Sequence, residues 1–381
     1  GAESLDTNTE GANNTAVGYI ALGANTTASG NTAVGFESLK SNTEGGSNAA
    51  VGTNALTANT TGSSNNAFGS TALDNNTTGS SNTAIGNDAL DANTTASDNV
   101  AVGNGAMFAN TTGCQNTAIG RRALNTNITG DNNVAVGFCA LKLNTADNNT
   151  AVGHDALKTN SSGTENVGVG SLSLDANTTG NYNVAVGANS LSANTTANDN
   201  TGIGVAALLT NITGAVNTAV GRSALRLNTT GGGNTATGCG ALCANTTGAG
   251  NTANGLEAMK TNTTGTSNVA IGSSALTCNT TADCNIAIGQ SALFINSTGA
   301  CNTAVGTRSM QCNTTAANNT AVGLQALFAN TTGTKGVAIG SGALDANTTA
   351  NENTAVGYES LTTNTTGGGL TALGEGSLAC N

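Results

Sequence analysis

A period of seventeen residues runs through the chain and constrains its fold more than any other feature. The pentapeptide Asn-Thr-Ala-Val-Gly returns at this spacing with small changes, and its glycine marks each repeat, as at Gly18, Gly35 and Gly52. A one-residue deletion in the repeat at 137–153 interrupts the frame once. A fixed period of this size is typical of one small structural unit stacked many times. The chain, residues 1–381, is therefore predicted to be a single repeat domain.

One column of the repeat indicates a continuous core. Repeats are numbered here from the glycine as position 0, and position 4 is then Leu except where the three Met of the chain replace it. A position that accepts only Leu or Met indicates an apolar socket. Members of this predicted core column include Leu22, Leu39, Met107, Leu191, Met259 and Met310.

Positions 13 to 17 alternate as a short strand would. Position 14 is mostly Thr or Val, position 16 is mostly Val or Ile, and position 15 is always Ala or Gly. Because strand side chains point alternately to two faces, we expect positions 14 and 16 to face the core and position 15 to face away from it. The small size of position 15 predicts a close backbone neighbour there, either a partner chain or the opposing wall of the same coil.

The rest of the repeat disfavours helix, because Asn-Thr-Thr-Gly interrupts most repeats with poor helix formers and a turn signal. We expect a corner at positions 1–2, a second short strand at positions 3–6 and a polar turn at positions 7–12. The predicted fold is all-β, a rod-shaped parallel β-solenoid (β-roll) of about 22 coils of 17 residues. One coil buries too little apolar surface to offset the entropy of ordering it, so we expect a homo-oligomer, with three chains favoured.

Asparagine occupies position 7 in every repeat and position 13 in nearly all of them. Amides stacked at the coil spacing can hydrogen-bond into a ladder. The competing interpretation is N-glycosylation, because Asn-Thr-Thr matches the acceptor pattern, with Asn25, Asn59 and Asn110 as candidates. Asn42-Thr43-Glu44 keeps the asparagine without the acceptor pattern, which favours the ladder. The predicted position-7 ladder includes Asn25, Asn59, Asn93, Asn127, Asn177, Asn211, Asn262 and Asn330.

Few residues indicate chemistry beyond this framework. Cys284 and Cys301 share position 12 in adjacent repeats, so their Cα atoms are expected about 4.8 Å apart, within reach of a disulfide. No zinc-ligand spacing, nucleophile elbow or phosphate-binding glycine loop is found, and the one histidine, His154, lies at an outward position. We therefore predict no enzyme activity, no catalytic or metal site and no cofactor.

Charge and hydropathy limit the partners of the chain. A formal net charge of −11 argues against nucleic acid, whose phosphates require clustered Lys and Arg. No apolar run approaches the ~20 residues needed to span a bilayer, so no membrane span is predicted. The chain begins on a frame glycine and stops within a repeat, and we expect flanking domains in a longer protein.

The segment Asn31-Thr32-Ala33-Val34-Gly35 through Leu39, with its copies along essentially the whole chain, resembles repeats of phage tail-fibre proteins and related surface proteins. It is more distantly similar to the repeats of trimeric autotransporter adhesin heads, which form trimeric left-handed β-rolls but have a shorter period. The resemblance implies an extracellular structural fibre or fibre shaft, homotrimeric, on a cell or virion surface and carrying adhesion or host attachment. Open strand edges at both ends also predict end-to-end assembly into a filament.

The sequence also allows two other functions, ice binding and glycan binding. An ice-binding β-solenoid would need flat ranks of Thr, but the Thr pair at positions 8 and 9, as in Thr26 and Thr27, is consecutive and cannot share one strand face. A glycan-binding adhesin module is the third interpretation, and neither its receptor nor its glycan is identified by the sequence.

Overall fold

The computed structural model describes residues 1–380, and it consists of strands and turns with no helix in that range. The chain forms two compact units, Gly1–Ala188 and Asn189–Asn381. Each unit is a parallel β-solenoid with about seventeen residues per turn, which confirms the predicted fold class. The apolar core of each unit lies inside its coils.

Each coil contributes one strand of three residues, at positions 14 to 16. The first unit contains β1 (Thr15–Val17), β2 (Thr32–Val34), β3 (Ala49–Val51), β4 (Asn66–Phe68), β5 (Thr83–Ile85), β6 (Val100–Val102), β7 (Thr117–Ile119), β8 (Val134–Val136), β9 (Thr150–Val152), β10 (Val167–Val169) and β11 (Val184–Val186). The second unit contains β12 (Thr201–Ile203), β13 (Thr218–Val220), β14 (Thr235–Thr237), β15 (Thr252–Asn254), β16 (Val269–Ile271), β17 (Ile286–Ile288), β18 (Thr303–Val305), β19 (Thr320–Val322), β20 (Val337–Ile339), β21 (Thr354–Val356) and β22 (Thr371–Leu373).

Within a unit, each strand pairs in parallel with the strand of the next coil, and the register is one repeat. Ala16 lies opposite Ala33, as every position finds its own equivalent in the neighbouring coil. At the deletion, Ala135 lies opposite Ala151, so the pairing offset falls to sixteen residues without loss of register. The missing residue is therefore absorbed in the turn between these strands.

The two faces of the strands are the reverse of the expectation. Position 15 is buried, as at Ala33 and Ala219, whereas positions 14 and 16 point outward and are half-exposed or exposed. At Gly202, a position-15 residue, an added Cβ would lie 3.3 Å from Leu191 Cγ on the opposing wall of the coil. Position 15 is small because the interior of one coil is narrow. Its size is consequently no evidence for a partner chain.

The Leu and Met column fills this narrow interior. All six of its predicted members are fully buried, namely Leu22, Leu39, Met107, Leu191, Met259 and Met310. Positions 3–6 form turns instead of the expected second strand, because positions 2 and 4 take left-handed backbone conformations, with φ of 53° at Ile20 and 54° at Leu22. That conformation costs an L-residue about 1–2 kcal/mol. Full burial of a Leu side chain contributes about 1.5–3 kcal/mol, which offsets the cost at position 4.

The frame glycine is required by contact between coils of the same chain. At Gly103 the φ is 130°, a region that side chains rarely adopt, and an added Cβ would lie 2.7 Å from the carbonyl carbon of Gly120 in the next coil. The same close approach recurs at Gly289, where an added Cβ would lie 2.6 Å from the carbonyl carbon of Gly306. Any larger residue at position 0 would separate two stacked backbones.

Neighbouring positions on one strand test the assignment of the two faces. Ala219→Leu is expected to lower the free energy of unfolding by about 1–3 kcal/mol, because it overpacks the interior against the Leu column. Val220→Leu is the matched control, and it should change stability by less than about 0.5 kcal/mol because its side chain points outward. Urea unfolding of both variants measures the difference. Equal costs, or a larger cost at Val220, would contradict the assignment.

Candidate functional site

Position-7 asparagines form a buried ladder along each unit. The Asn42 amide nitrogen donates to the side-chain oxygen of Asn25 at 3.0 Å, and Asn59 donates in the same way to Asn42 at 2.8 Å. Asn211 repeats the contact in the second unit, donating to Asn194 at 3.1 Å. Each amide thus serves as donor to one coil and acceptor from the next. All eight predicted members are buried in this way, namely Asn25, Asn59, Asn93, Asn127, Asn177, Asn211, Asn262 and Asn330.

Position-13 asparagines form a second buried column with a different pattern. The Asn31 side-chain oxygen accepts the backbone N–H of Asn48 in the next coil at 2.9 Å. The Asn48 side-chain nitrogen then donates to the Gly62 carbonyl, also at 2.9 Å. Where Gly336 replaces the asparagine, its backbone N–H still donates to the side-chain oxygen of Asn319 at 2.7 Å.

The two columns meet at the carbonyl of position 10. The Gly62 carbonyl accepts from Asn48 and also from Asn59, the position-7 residue of its own coil, at 2.9 Å each. A carbonyl oxygen has two lone pairs, so both donors can be accommodated. This arrangement satisfies buried backbone acceptors in a part of the coil that has no strand.

The deletion interrupts the position-7 ladder. Asn127 donates to Asn110 at 2.9 Å, but its own side-chain oxygen is buried and accepts no hydrogen bond. Asn144, the next member, donates only to the Ala146 carbonyl at 2.7 Å among the described contacts. The ladder resumes where Asn160 donates to Asn144 at 2.7 Å. One missing turn residue therefore removes one link between coils.

The glycosylation alternative is contradicted in the folded chain. Asn25, Asn59 and Asn110 are fully buried, and the nitrogen that would carry a glycan donates two hydrogen bonds in each case. A glycan on that nitrogen could not be accommodated inside the coil. The sequence pattern Asn-Thr-Thr has a structural cause instead, because the position-8 hydroxyl also bonds to the next coil, as Thr60 does to the Thr77 carbonyl at 3.0 Å.

Cys284 and Cys301 lie at the same position of adjacent coils in the second unit. Both are exposed and both are free thiols in this structure. The backbone N–H of Cys301 donates to the Asp283 carbonyl at 3.1 Å, which ties the two turns together directly beside the thiols. The disulfide between them stays a prediction, since an oxidant is needed to form it.

The outward side chains of positions 14 and 16 form what we call the outer strand face of each unit. Its position-16 column is apolar and exposed in many coils, with Ile85 at 42% and Ile119 at 41% of their full accessibility. Neither column contains a charged residue in any of the 22 strands. Thr237 and Asn254 interrupt the apolar column in the second unit, where they lie on the surface and not, as expected, in the core. The sequence did not predict this face, because the hydrophobicity of position 16 assigned these residues to the interior.

Positions 2 and 5 face each other along the coils and carry most of the close charges. In the first unit, Asp74, Asp88 and Asp91 lie together in this region. Burial raises the pKa of Asp91 to about 6, and repulsion from Asp74 and Asp88 adds to the shift. The Asn75 amide donates to the Asp91 carboxylate at 3.3 Å, and this hydrogen bond lowers the pKa of Asp91. Burial is also the main cause that raises the pKa of Asp74.

The described residues contain no group of His, Cys, Asp or Glu side chains arranged to hold a metal ion. Among the same residues, no helix is long and apolar enough to cross a membrane. The features with distinctive geometry are thus the two asparagine columns, the outer strand face and the charged columns at positions 2 and 5.

The interrupted ladder provides a test of the asparagine contacts. Asn93→Ala removes three side-chain hydrogen bonds, to Asn76, Ala96 and Asn110, and should cost about 3 kcal/mol of unfolding free energy. Asn127→Ala removes only two and should cost about 1 kcal/mol less. Urea unfolding measures both values. An equal loss of unfolding free energy in the two variants would contradict the assigned ladder contacts.

The shifted carboxyl group predicts a pH-dependent stability. The pKa of Asp91 in the fold lies above its ordinary value of 3.8, so its contribution is favourable below about pH 4 and is lost as the pH rises through about 6. Asp91→Asn should therefore raise the urea midpoint at pH 7.5 and leave it nearly unchanged at pH 3.5. Asp98→Asn, at an exposed turn position, is the control. A gain of the same size at both pH values would refute the burial of this charge.

Comparisons with known proteins identify no relative of this chain, so a functional proposal rests on the geometry of the fold. Neither models of protein families, nor curated proteins, nor solved structures gave a match to this chain. The resemblance to tail-fibre and adhesin repeats therefore stays a prediction that rests on the repeat residues themselves.

Proposed function

We propose that the chain is an extracellular structural fibre or fibre shaft that associates with copies of itself through the outer strand face, with three chains favoured. The observation that carries this proposal is the absence of charge from positions 14 and 16 in all 22 strands. Elsewhere on the coil, exposed positions accept charge, as Glu10 and Glu44 do at position 9. A surface that excludes charge while exposing Val and Ile is typical of an interaction site.

Repetition strengthens such an interface. Every coil adds one pair of outward side chains, and burying apolar area on association is favourable in proportion to that area. The entropy lost when two chains associate is incurred once, whereas the gain grows with the number of coils. A long repeat is therefore suited to a face that is only modestly apolar in any one coil. End-to-end assembly into a filament at open strand edges is a further part of this proposal.

Extracellular placement and attachment to a cell or virion surface follow from the same proposal and from the repeat resemblance. A structural role accords with the even distribution of the stabilising contacts, since each coil repeats the same amide and backbone bonds. No catalytic step is proposed for this chain.

Charge introduced on the outer strand face should prevent the self-association. Ile85→Lys combined with Ile119→Lys should convert a multimer into a folded monomer, because each lysine stays hydrated in the free chain and is desolvated in the interface. Thr78→Lys combined with Thr112→Lys, at exposed position 9 of the same coils, is the matched control. Sedimentation velocity measures the mass and circular dichroism the fold. A monomeric unsubstituted chain at micromolar concentration would overturn the proposed association.

Ice binding is a second candidate, and one observation favours it more than the sequence did. Position 14 is Thr in β12 to β15 on consecutive strands, and these residues lie on the same outward face as position 16. A rank of Thr at the strand spacing could order water. Thermal hysteresis of the freezing point, abolished by Thr218→Lys, would favour ice binding over self-association.

A further inference from the structure

A cleft opens between the position-2 and position-5 columns of the first unit. Gly105 forms its buried floor, and Phe108, Arg122 and Lys142 line it. Asn104, Asn125 and Asp88 complete the lining. The residues come from four neighbouring coils, so the cleft exists only when these coils are stacked.

The floor of the cleft is low because position 2 of its coil is a glycine, Gly105. Among the described residues, three coils have an ion pair between an acid at position 2 and a lysine at position 5, as between Glu37 and Lys40 at 3.2 Å and between Asp155 and Lys158 at 3.2 Å. Gly105 has no side chain to bridge with Phe108, and an added Cβ there would meet its nearest neighbour, Asn125 Nδ2, only at 3.6 Å. That distance is ordinary van der Waals contact, and the absent side chain leaves Gly105 as the floor of the cleft.

Two cations of the cleft have no acidic partner. Four lysines occupy position 5, and three of them pair with an acid at position 2 of their own coil, including Lys260 with Glu257 at 2.8 Å. Lys142 faces Cys139 instead, and neither Lys142 nor Arg122 forms an ion pair with the described residues. In a chain of net charge −11, this local excess of positive charge is unusual.

The one carboxylate of the cleft is engaged elsewhere. Asp88 accepts a hydrogen bond from the Thr71 hydroxyl at 2.6 Å in the coil on its far side. The Asn125 amide donates to the Gly105 carbonyl at 2.8 Å, which fixes its position at the edge of the floor. The Phe108 ring is 42% exposed, so it offers an apolar surface beside the two cations.

We propose that this cleft binds an acidic sugar residue of a surface glycan, a hexuronate or a sialate. Arg122 and Lys142 would hold the carboxylate, since guanidinium and ammonium groups form charge-assisted hydrogen bonds with it. The Phe108 ring packs against the apolar face of the sugar, and the amides of Asn104 and Asn125 bond to its hydroxyl groups. Polar groups that converge beside an apolar wall are typical of small-ligand sites. This binding goes beyond the proposed fibre role and does not depend on the number of chains.

Titration of the full chain with three soluble sugars tests the proposal. Sialyllactose and a glucuronate-containing disaccharide are the acidic probes, and lactose is the neutral one, with binding followed by calorimetry. At least one acidic probe should bind, and lactose should bind at least tenfold more weakly. Which acidic probe binds identifies the sugar. Binding of neither acidic probe, or equal binding of lactose, would overturn the proposal.

Two variants place the binding in the cleft. Arg122→Gln should weaken the affinity for the acidic probe at least tenfold, whereas Lys158→Gln, at a paired lysine, should leave it unchanged. Gly105→Asn should fill the cleft and abolish binding, and Asn54 already adopts the required left-handed φ of 56° at the same position. Gly240→Asn, the equivalent change in the second unit, is its control. Unchanged affinity in Arg122→Gln and Gly105→Asn would place the sugar elsewhere and refute the assignment. Sedimentation of the same samples reports self-association separately.

Discussion

Hydrogen bonding by buried asparagine amides is the interaction on which the rest of this structure depends. Only three residues of each coil lie in a strand, and outside the strands backbone groups also pair from coil to coil, as the Leu22 N–H does with the Ser38 carbonyl at 3.0 Å. The side chains at positions 7 and 13 add further donors and acceptors in the polar turn of the coil, and both converge on one carbonyl, as at Gly62. An amide that is both donor and acceptor stacks best on another amide, which explains why these columns stay uniform while surface positions vary.

The sequence predicts the period, the fold class and the identity of the buried columns, but it does not fix which strand face is inside. A period of two residues separates two faces without assigning them. Hydrophobicity suggested that Val34 faces the core and Ala33 faces away from it. The structure buries Ala33 and leaves Val34 half-exposed, because the coil interior has room for one large column, already filled by residues such as Leu39. Steric fit, which depends on the opposing wall, outweighs hydrophobicity here.

Left-handed backbone at position 4 could not be predicted either. Leu disfavours that conformation, so nothing in a column of Leu indicates it. A signal was present at position 2, where Gly105 and Gly342 replace larger residues and have φ of 63° and 67°. This turn brings the side chains at positions 2 and 5 close to each other. The ion pairs between acids and lysines three residues apart could therefore be recognised only once the fold was known. The cleft is recognised only in the folded chain, which brings Arg122 and Lys142 together although neither has an acid at position 2 or 5 of its own coil.

The single missing residue near Asn144 also has a mechanical consequence. In a linear array each coil is held by its neighbours, so the array separates first at its weakest junction. The junction between the coils of Asn127 and Asn144 lacks one amide bond and leaves a buried oxygen without a donor. Partial opening of the first unit is therefore expected to begin at this junction. A deletion of one residue thus leaves one junction of the stack held by fewer side-chain bonds than the junctions on either side of it.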